Sequence, residues 1–273
     1  MSKIKVIAEV GSNHMGSLES AISHIEAAAK AGCYGVKFQL FRAPSLDSRE
    51  EVQKVLRPLE MPLEWLPVLK NECFLKGLKL VVTPFSPNMA DALCGYVDMV
   101  KISAYDLTYD DLIRAAARLG VPIILSTAMA TIEEVGWATW WAFKAPQKIL
   151  LHGVAAYPAE VKHYNLKCLR TISDYFDDRY EVGISDHTTG TGLAPLAVAA
   201  GATWIEKHFR LDTTPSSSPD FGHSVAPMDM GLLVRKCIVA GVVMGNGVKD
   251  GPLPVEMPLY ETCRRTDDKP LRG

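Results

Sequence analysis

Eight short apolar runs that favour β-structure alternate along the chain with segments of helical periodicity. The first run, residues 5–10, precedes a segment over residues 17–31 whose apolar residues recur at three- and four-residue spacing. The other runs lie at residues 35–41, 79–85, 99–104, 122–127, 148–154, 181–188 and 203–211. Apolar strands that alternate with helices require a parallel sheet that is covered on both faces. The chain is therefore expected to be an α/β protein with either a closed barrel or an open doubly wound sheet.

The number of units favours the closed barrel. Eight β/α units within about 250 residues are typical of a (β/α)8 TIM barrel. An open dinucleotide-binding sheet usually has a glycine-rich turn after its first strand, and this sequence lacks one there. We predict one catalytic barrel over residues 1–248. Residues 249–273 are rich in proline, glycine and charge, so we predict an irregular tail there.

Composition excludes several function classes. Hydrophobic residues make up 48% of the chain, charged residues make up 22%, and the net charge is −2, so neither nucleic acid nor an anionic membrane surface is an expected partner. The sequence has no apolar run of the roughly 20 residues that span a bilayer. The N-terminus lacks a signal-peptide pattern. The six cysteines show no CxxC pairing and are expected to be reduced thiols. A cytoplasmic protein is expected.

Polar residues gather where the predicted strands end, which is the face that carries the chemistry of such barrels. They are Glu9, Lys37, Gln39, Thr83, Lys101, Ser103, Asp106, Ser126, Tyr157 and Ser185. Lysines are rarely fully buried, so those in the strands imply anionic partners. We expect these partners to be Glu9, Asp106, Glu206 and a bound anion such as a phosphate. Each lysine has the simpler alternative of pairing with a neighbouring carboxylate for structural reasons alone.

The last two predicted strands each carry a histidine. His187 ends the seventh run, and His208 lies in the eighth, one helix further along the chain. Parallel strands joined through one helix are neighbours, so both rings can face one point and bind a divalent metal. A hydrogen-bonding role in the core is the alternative for either histidine alone. Lys207, next to His208, should point to the opposite face of its strand and serve the structure.

Eight successive motifs lie along the predicted barrel: IAEVGSNHMGS (7–17), GVKFQLF (35–41), TPFS (83–86), VKISAYDLT (100–108), PIILSTAMAT (122–131), AAYP (155–158), GISDHT (183–188) and IEKHFRLD (205–212). Together these motifs resemble the sialic acid synthase (N-acetylneuraminate synthase) family. The resemblance covers about residues 4–245 in family order. It implies a synthase that condenses phosphoenolpyruvate with an aldose or N-acyl amino sugar, releasing phosphate and forming a nonulosonic acid.

The resemblance also implies roles for individual residues. His187 and His208 match the metal ligands, and the implied metal is Mn²⁺, with Mg²⁺ or Co²⁺ as alternatives. Positions that hold phosphoenolpyruvate match Lys37, Thr83, Lys101, Ser126 and Ser185. Sugar-contacting positions match Gln39, Asp106, Tyr157 and Asp220. Glu9 matches an acidic residue at the floor of the site, and either Glu9 or Asp106 is expected to transfer protons. Because family members are usually dimers, the resemblance suggests a homodimer.

The sequence departs from the family pattern at several places. Ala104 stands where the family usually has serine, with Ser103 beside it, and Ala155 replaces Asn or Ser. The loop after the eighth run reads PDFGH where PDH is usual. Residues 249–273 are too short for the antifreeze-like domain that usually follows the barrel. Two alternatives therefore stay open: a pyruvate aldolase that uses the metal or a Schiff base on Lys37 or Lys101, and a non-catalytic barrel used for binding.

Overall fold

The computed structural model describes residues 4–264. Eight parallel strands form a closed barrel in which each strand pairs with the next along the chain and the last pairs with the first. The strands are β1 (Lys5–Gly11), β2 (Gly35–Leu40), β3 (Lys79–Pro84), β4 (Met99–Ile102), β5 (Ile123–Ser126), β6 (Lys148–Gly153), β7 (Glu181–Asp186) and β8 (Trp204–His208). The prediction of a (β/α)8 barrel is confirmed.

Helices follow the strands and cover the outside of the barrel. They are α1 (Leu18–Lys30), α2 (Ala43–Leu46), α3 (Glu50–Leu56), α4 (Leu66–Leu75), α5 (Pro87–Ala92), α6 (Asp110–Ala117), α7 (Ile132–Trp141), α8 (Cys168–Tyr175), α9 (Leu193–Ala199), α10 (Pro227–Met244) and α11 (Met257–Cys263). Ser17 caps α1 by accepting a hydrogen bond from the Ser20 amide, and Thr131 and Glu134 form a capping box at α7. No helix within residues 4–264 is both long and apolar enough to cross a bilayer.

Two apolar layers hold the barrel together because side chains alternate between the faces of each strand. Outward-facing residues such as Val6, Val36 and Val82 pack under the helices in the larger core. Inward-facing residues, including Ile7 and Trp204, fill the lower part of the barrel. The interior is therefore a packed core at this level, and an open site can form only above it.

The expectation of an irregular tail is wrong for residues 254–263. A 3₁₀ turn covers Pro254–Glu256, and α11 follows it directly. The Leu253 amide donates a hydrogen bond to Glu256 Oε2 at 2.6 Å, and Pro258 occupies the first turn of α11, where a missing N–H costs nothing. This bond closes the 3₁₀ turn that leads directly into α11, in a segment of unfavourable composition. The remainder of the predicted tail, residues 265–273, lies outside the described residues.

Candidate active site

Inward-facing side chains, which recur every second residue along a strand, change from apolar to polar towards the upper end of the barrel. Two residues beyond Ile7 is Glu9, two beyond Met99 is Lys101, and two beyond Trp204 is Glu206. The same step leads from Val81 to Thr83 and from Ile124 to Ser126, and a second step in β8 leads from Glu206 to His208. A polar layer therefore lies directly on the apolar core, at the face where barrels of this kind place their chemistry.

Two lysines and two glutamates form a charged cluster in this layer. All four residues are at least 95% buried. Lys37 Nζ lies 3.0 Å from Glu9 Oε2 and 3.7 Å from Glu206 Oε2, and Lys101 Nζ donates to Glu206 Oε1. Pairing offsets much of the cost of burying four charges, and the cluster is neutral when all four groups are ionised. Glu9 and Glu206 are thus confirmed as partners of the lysines.

The cluster shifts the pKa of its members in different directions. Burial lowers the pKa of Lys101 to about 8, although the nearby Glu206 favours its charged form. Burial also opposes the charged form of Lys37, but Glu206 and Glu9 outweigh it and raise the pKa of that lysine. Burial raises the pKa of Glu9 despite the nearby Lys37. Lys101 is therefore the cation in the cluster that most easily gives up its proton.

Hydroxyl and amide groups surround the cluster. Lys37 donates to Thr83 Oγ1 at 3.3 Å, and Lys101 donates to Ser185 Oγ at 3.0 Å. Gln39 Nε2 donates to Glu9 Oε1 at 2.6 Å. These contacts hold the charged side chains in fixed positions, which is what a preorganised anion site requires.

Asp106 lies apart from the cluster, in the 3₁₀ turn Ala104–Asp106 that follows β4. The expectation that it pairs with a lysine is wrong, because it forms no ion pair within the described residues. Its Oδ2 atom is buried without a hydrogen-bond partner, and burial raises the pKa of Asp106 to about 6. The turn after the strand, whose path the strand repeat does not define, carries Asp106 away from Lys101.

A cavity of about 520 Å³ opens above the polar layer. It brings together twelve of the thirteen predicted site residues: Glu9, Lys37, Gln39, Thr83, Lys101, Ser103, Asp106, Ser126, Tyr157, His187, His208 and Asp220. Ser185 does not line the cavity, and it lies beneath it, bonded to Lys101 and Glu206. The volume falls in the range of small-molecule sites.

Three histidines form one wall of this cavity. His187 and His208 end neighbouring strands, with ring centroids 5.6 Å apart, and His223 lies 4.4 Å from His208. The Tyr157 ring packs on His187 at 4.3 Å. His187 Nδ1 bonds to the carbonyl oxygen of Val154 at 2.7 Å, which leaves Nε2 as its free ring nitrogen. The predicted proximity of His187 and His208 is thus observed.

Asp220 reaches this wall from the loop after β8. Its Oδ2 atom accepts hydrogen bonds from the Ser12 amide at 2.7 Å and from the Ser12 hydroxyl at 2.6 Å. The carboxylate passes so close to β1 that a Cβ atom on Gly11 would lie 2.4 Å from Oδ2, and Gly11 also has a φ of +53°. A glycine is required at this position so that Asp220 can approach.

Two residues that line the cavity, His223 and Tyr105, are not predicted from the sequence. His223 was not among the predicted site residues, although the unusual PDFGH loop contains it. Tyr105 also lines the cavity, beside Asp106. The strand repeat indicates neither residue, since both lie outside the strands. The signal for His223 in the sequence is its place two residues after Phe221, where the loop departs from the family motif.

Lys207 confirms the alternation expected for β8. Its side chain is fully buried on the opposite face from Glu206 and His208. Lys207 Nζ lies 3.2 Å from Asp186 Oδ1 and also donates to the Thr188 carbonyl. This lysine therefore serves the structure, by joining β8 to the end of β7.

Comparison with known proteins gives a consistent assignment. N,N'-diacetyllegionaminic acid synthase of Legionella pneumophila is 32% identical over 96% of this chain and 78% of its own length. Pseudaminic acid synthase of Campylobacter jejuni is 31% identical over 83% of this chain and 72% of its own. The crystal structure of N-acetylneuraminic acid (sialic acid) synthetase of Leptospira borgpetersenii, in complex with citrate, has a TM-score of 0.88 at 30% identity. It covers 97% of this chain, and this chain covers 93% of it.

These relatives are named as synthases of sialic, legionaminic and pseudaminic acids, which confirms the family resemblance. The family model, described as the NeuB family, matches residues 24–249, which include all of the barrel strands except β1. The chain therefore belongs to the NeuB family.

Proposed function

We propose that this chain is a phosphoenolpyruvate-dependent synthase that acts on an N-acyl amino aldose. Carbon 3 of phosphoenolpyruvate would attack the open-chain aldehyde, water would add at carbon 2, and loss of phosphate would leave a nonulosonic acid. The observation that carries the proposal is the charged cluster, in which two buried lysines face a cavity of about 520 Å³. Membership of a family whose relatives are named as nonulosonic acid synthases supports it.

The lysine end of the cavity suits the anionic substrate. Lys101 has three donor positions and uses two of them, on Ser185 and Glu206, so that one is left for a ligand. Lys37, Thr83 and Ser126 line the same region. Because the lysines are already held in place by their glutamates, they can receive the phosphate and carboxylate groups with little reorganisation.

Other residues that line the cavity suit the sugar. Gln39, Asp106, Tyr157 and Asp220 supply donors and acceptors of the kind that hydroxyl and N-acyl groups need. We propose Asp106 as the group that transfers protons, because burial raises its pKa to about 6, close to the working range of a general acid or base. Glu9 is held by Lys37 and Gln39 at the cavity floor, where it orients the lysine.

The donor set also fits a divalent metal. His208 Nδ1 is buried without a hydrogen-bond partner, and burial lowers the pKa of His187 to about 4, so that this imidazole is neutral at pH 7 as metal binding requires. His187 and His208 would hold the ion, for which we propose Mn²⁺. When bound there, the ion would act as a Lewis acid towards the aldehyde oxygen.

Phosphate release from phosphoenolpyruvate with Mn²⁺, measured against a panel of N-acyl amino aldoses, tests the proposal. Release that depends on one sugar supports it and identifies the acceptor. Lys101→Met should abolish release, whereas Lys162→Met, at an exposed lysine outside the cavity, should leave it unchanged. Failure of wild-type protein to bind phosphoenolpyruvate in calorimetry would overturn the proposal.

One observation favours a second candidate, a pyruvate aldolase. The lowered pKa of Lys101, about 8, leaves a larger fraction of neutral amine at pH 7 than an ordinary lysine has, and a neutral amine is what a Schiff base needs. Borohydride reduction in the presence of pyruvate separates the two reactions. A covalent adduct on Lys101 would establish the aldolase, and its absence together with sugar-dependent phosphate release would exclude it.

A further inference from the structure

The end of β7 serves two parts of the cavity from one stretch of backbone. Ser185 bonds to Lys101 and Glu206 in the charged cluster, and His187 lies two residues further along, in the histidine wall. A shift of this stretch would disturb the anion site and the wall together. Because β7 ends at Asp186, the strand itself does not hold His187 in place.

The hydrogen-bond ladder between β6 and β7 stops before His187. The last paired residues are Gly153 and Ser185. In a parallel ladder the next residue of β6 would donate its N–H to the Ser185 carbonyl and accept from the His187 amide. That residue is Val154, but its carbonyl oxygen instead bonds to His187 Nδ1 at 2.7 Å and to the Ala156 amide at 2.9 Å. The chain turns away at Val154 and leaves two backbone groups of β7 to another partner.

The Tyr164 hydroxyl is that partner. It donates to the Ser185 carbonyl oxygen at 2.7 Å and accepts from the His187 amide at 2.7 Å. Both are good hydrogen-bond lengths, and a buried amide left without an acceptor would be costly. One side-chain hydroxyl therefore makes both of the bonds that a backbone residue of β6 would make.

Tyr164 is itself held firmly behind the cavity. Its side chain is 1% exposed. His152 Nε2 donates to the Tyr164 carbonyl at 2.7 Å, and the two rings pack edge to face with centroids 6.3 Å apart. Burial raises the pKa of the Tyr164 hydroxyl, so the group keeps its proton at pH 7 and remains a donor. The hydroxyl is therefore a fixed anchor for the backbone of β7.

The connection from β6 to α8 surrounds His187. Tyr157 in this connection lines the cavity and packs on the His187 ring, and the Ala159 amide donates to the His187 carbonyl at 3.0 Å. Together with Val154 and Tyr164, these contacts hold His187 by its ring, its carbonyl and its amide. Tyr164 supplies the amide contact and links it to the charged cluster through the strand.

We propose that Tyr164 is a positioning residue for the reaction, whose hydroxyl fixes the places of Ser185 and His187. Tyr164 is not among the residues that line the cavity, so it acts through these two residues. The inference rests on the proposed function for its effect on turnover. Its effect on ligand binding is measured without turnover.

Tyr164→Phe tests the proposal because it keeps the buried ring and removes only the hydroxyl. We expect kcat to fall about 10–100-fold, since a group that orients site residues is lost. Calorimetry without sugar should show weaker binding of phosphoenolpyruvate and about tenfold weaker binding of Mn²⁺. Tyr96→Phe removes the hydroxyl of an exposed tyrosine outside the cavity, and this control should change none of the three quantities.

A purely structural role for Tyr164 predicts a different result. A Tyr164→Phe variant that unfolds at a lower denaturant concentration, but keeps kcat and both affinities while folded, would overturn the proposal.

A second variant separates the two bonds and also decides the matter if Tyr164→Phe does not fold. Placing 4-aminophenylalanine at position 164 restores a donor to the Ser185 carbonyl but offers only a weak acceptor to the His187 amide. It should therefore restore phosphoenolpyruvate binding more fully than Mn²⁺ binding. A folded protein of this kind that recovers neither affinity would overturn the proposal.

The outcomes also separate this inference from the proposed function. Wild-type protein that binds both ligands but releases no phosphate with any sugar would contradict the synthase, while weaker binding by Tyr164→Phe would still support the positioning role. Equal sugar-dependent phosphate release by wild-type protein and Tyr164→Phe would support the synthase and contradict the positioning role.

Discussion

Replacing Asp106 with asparagine should stabilise the fold above pH 6 while it slows the reaction. Asp106 Oδ2 is buried without a partner, and burial raises the pKa of Asp106 from its ordinary value of 3.8 to about 6. The folded protein therefore binds this proton more tightly than the unfolded chain does. Ionisation of Asp106 therefore lowers the free energy of unfolding. The loss is complete above about pH 6 and disappears below the pKa of Asp106 in the unfolded chain.

The size of the effect follows from the pKa difference. A shift of roughly two units corresponds to about 3 kcal/mol in the free energy of unfolding at pH 8. Asp106 is only partly buried, so solvent screening reduces this figure to about 1–2 kcal/mol. Asparagine has a similar shape and no charge, and it removes the cost. The gain should shrink by more than half at pH 4.5, where the folded protein already holds Asp106 protonated.

Guanidinium chloride unfolding at pH 8 and pH 4.5 measures the gain. Asp212→Asn, at an exposed aspartate, is the control and should change the free energy of unfolding by less than about 0.5 kcal/mol. Asp106→Asn should also abolish the titration near pH 6 in the pH profile of the rate. An Asp106→Asn variant that is less stable at pH 8, or equally stabilised at both pH values, would show that ionised Asp106 does not destabilise the fold.

Three further predictions concern the framework and the metal. Asp186→Asn removes the carboxylate partner of the fully buried Lys207 and should lower the free energy of unfolding by about 3–5 kcal/mol. Much of this loss should be recovered in the Asp186→Leu/Lys207→Met double variant. Equal losses in both variants would contradict a structural role for the Lys207–Asp186 pair. Gly11→Ala should lower the free energy of unfolding by about 1–3 kcal/mol and weaken sugar binding, since its Cβ would displace Asp220. Unchanged sugar binding would show that Asp220 does not need this approach. Chelation with EDTA should abolish phosphate release and Mn²⁺ should restore it, whereas full activity after chelation would exclude the metal.

The sequence predicts the barrel and its polar layer because both depend on the two-residue repeat of strands. Once Ile7 is assigned to the barrel interior, Glu9 must face the same way one step higher, and the same holds for Met99 and Lys101. Neighbouring strands then bring these side chains together without further information. The charged cluster is therefore predictable from periodicity and strand order alone.

The two-residue repeat of strands does not predict the positions of side chains that lie on loops and turns. His223 comes from the loop after β8, and Asp106 from the 3₁₀ turn after β4, and the path of neither segment follows from a repeat. Long-range hydrogen bonds from Ser12 and Asn13 define where the β8 loop lies, and such bonds have no local signature. A different reason explains α11: composition alone predicts an irregular tail, whereas a local bond from the Leu253 amide to Glu256 closes the turn that leads into this helix.

Phosphoenolpyruvate labelled with ¹⁸O at its bridging oxygen distinguishes the proposed condensation from simple hydrolysis. The protein, Mn²⁺ and the sugar that promotes phosphate release are mixed with it, and both products are analysed by mass spectrometry. Attack of carbon 3 on the aldehyde, with water adding at carbon 2, leads to cleavage of the bond between carbon 2 and the bridging oxygen. We therefore expect labelled phosphate together with a keto acid three carbons longer than the sugar. Unlabelled phosphate with labelled pyruvate would show simple hydrolysis of the substrate and would contradict the proposed synthase reaction.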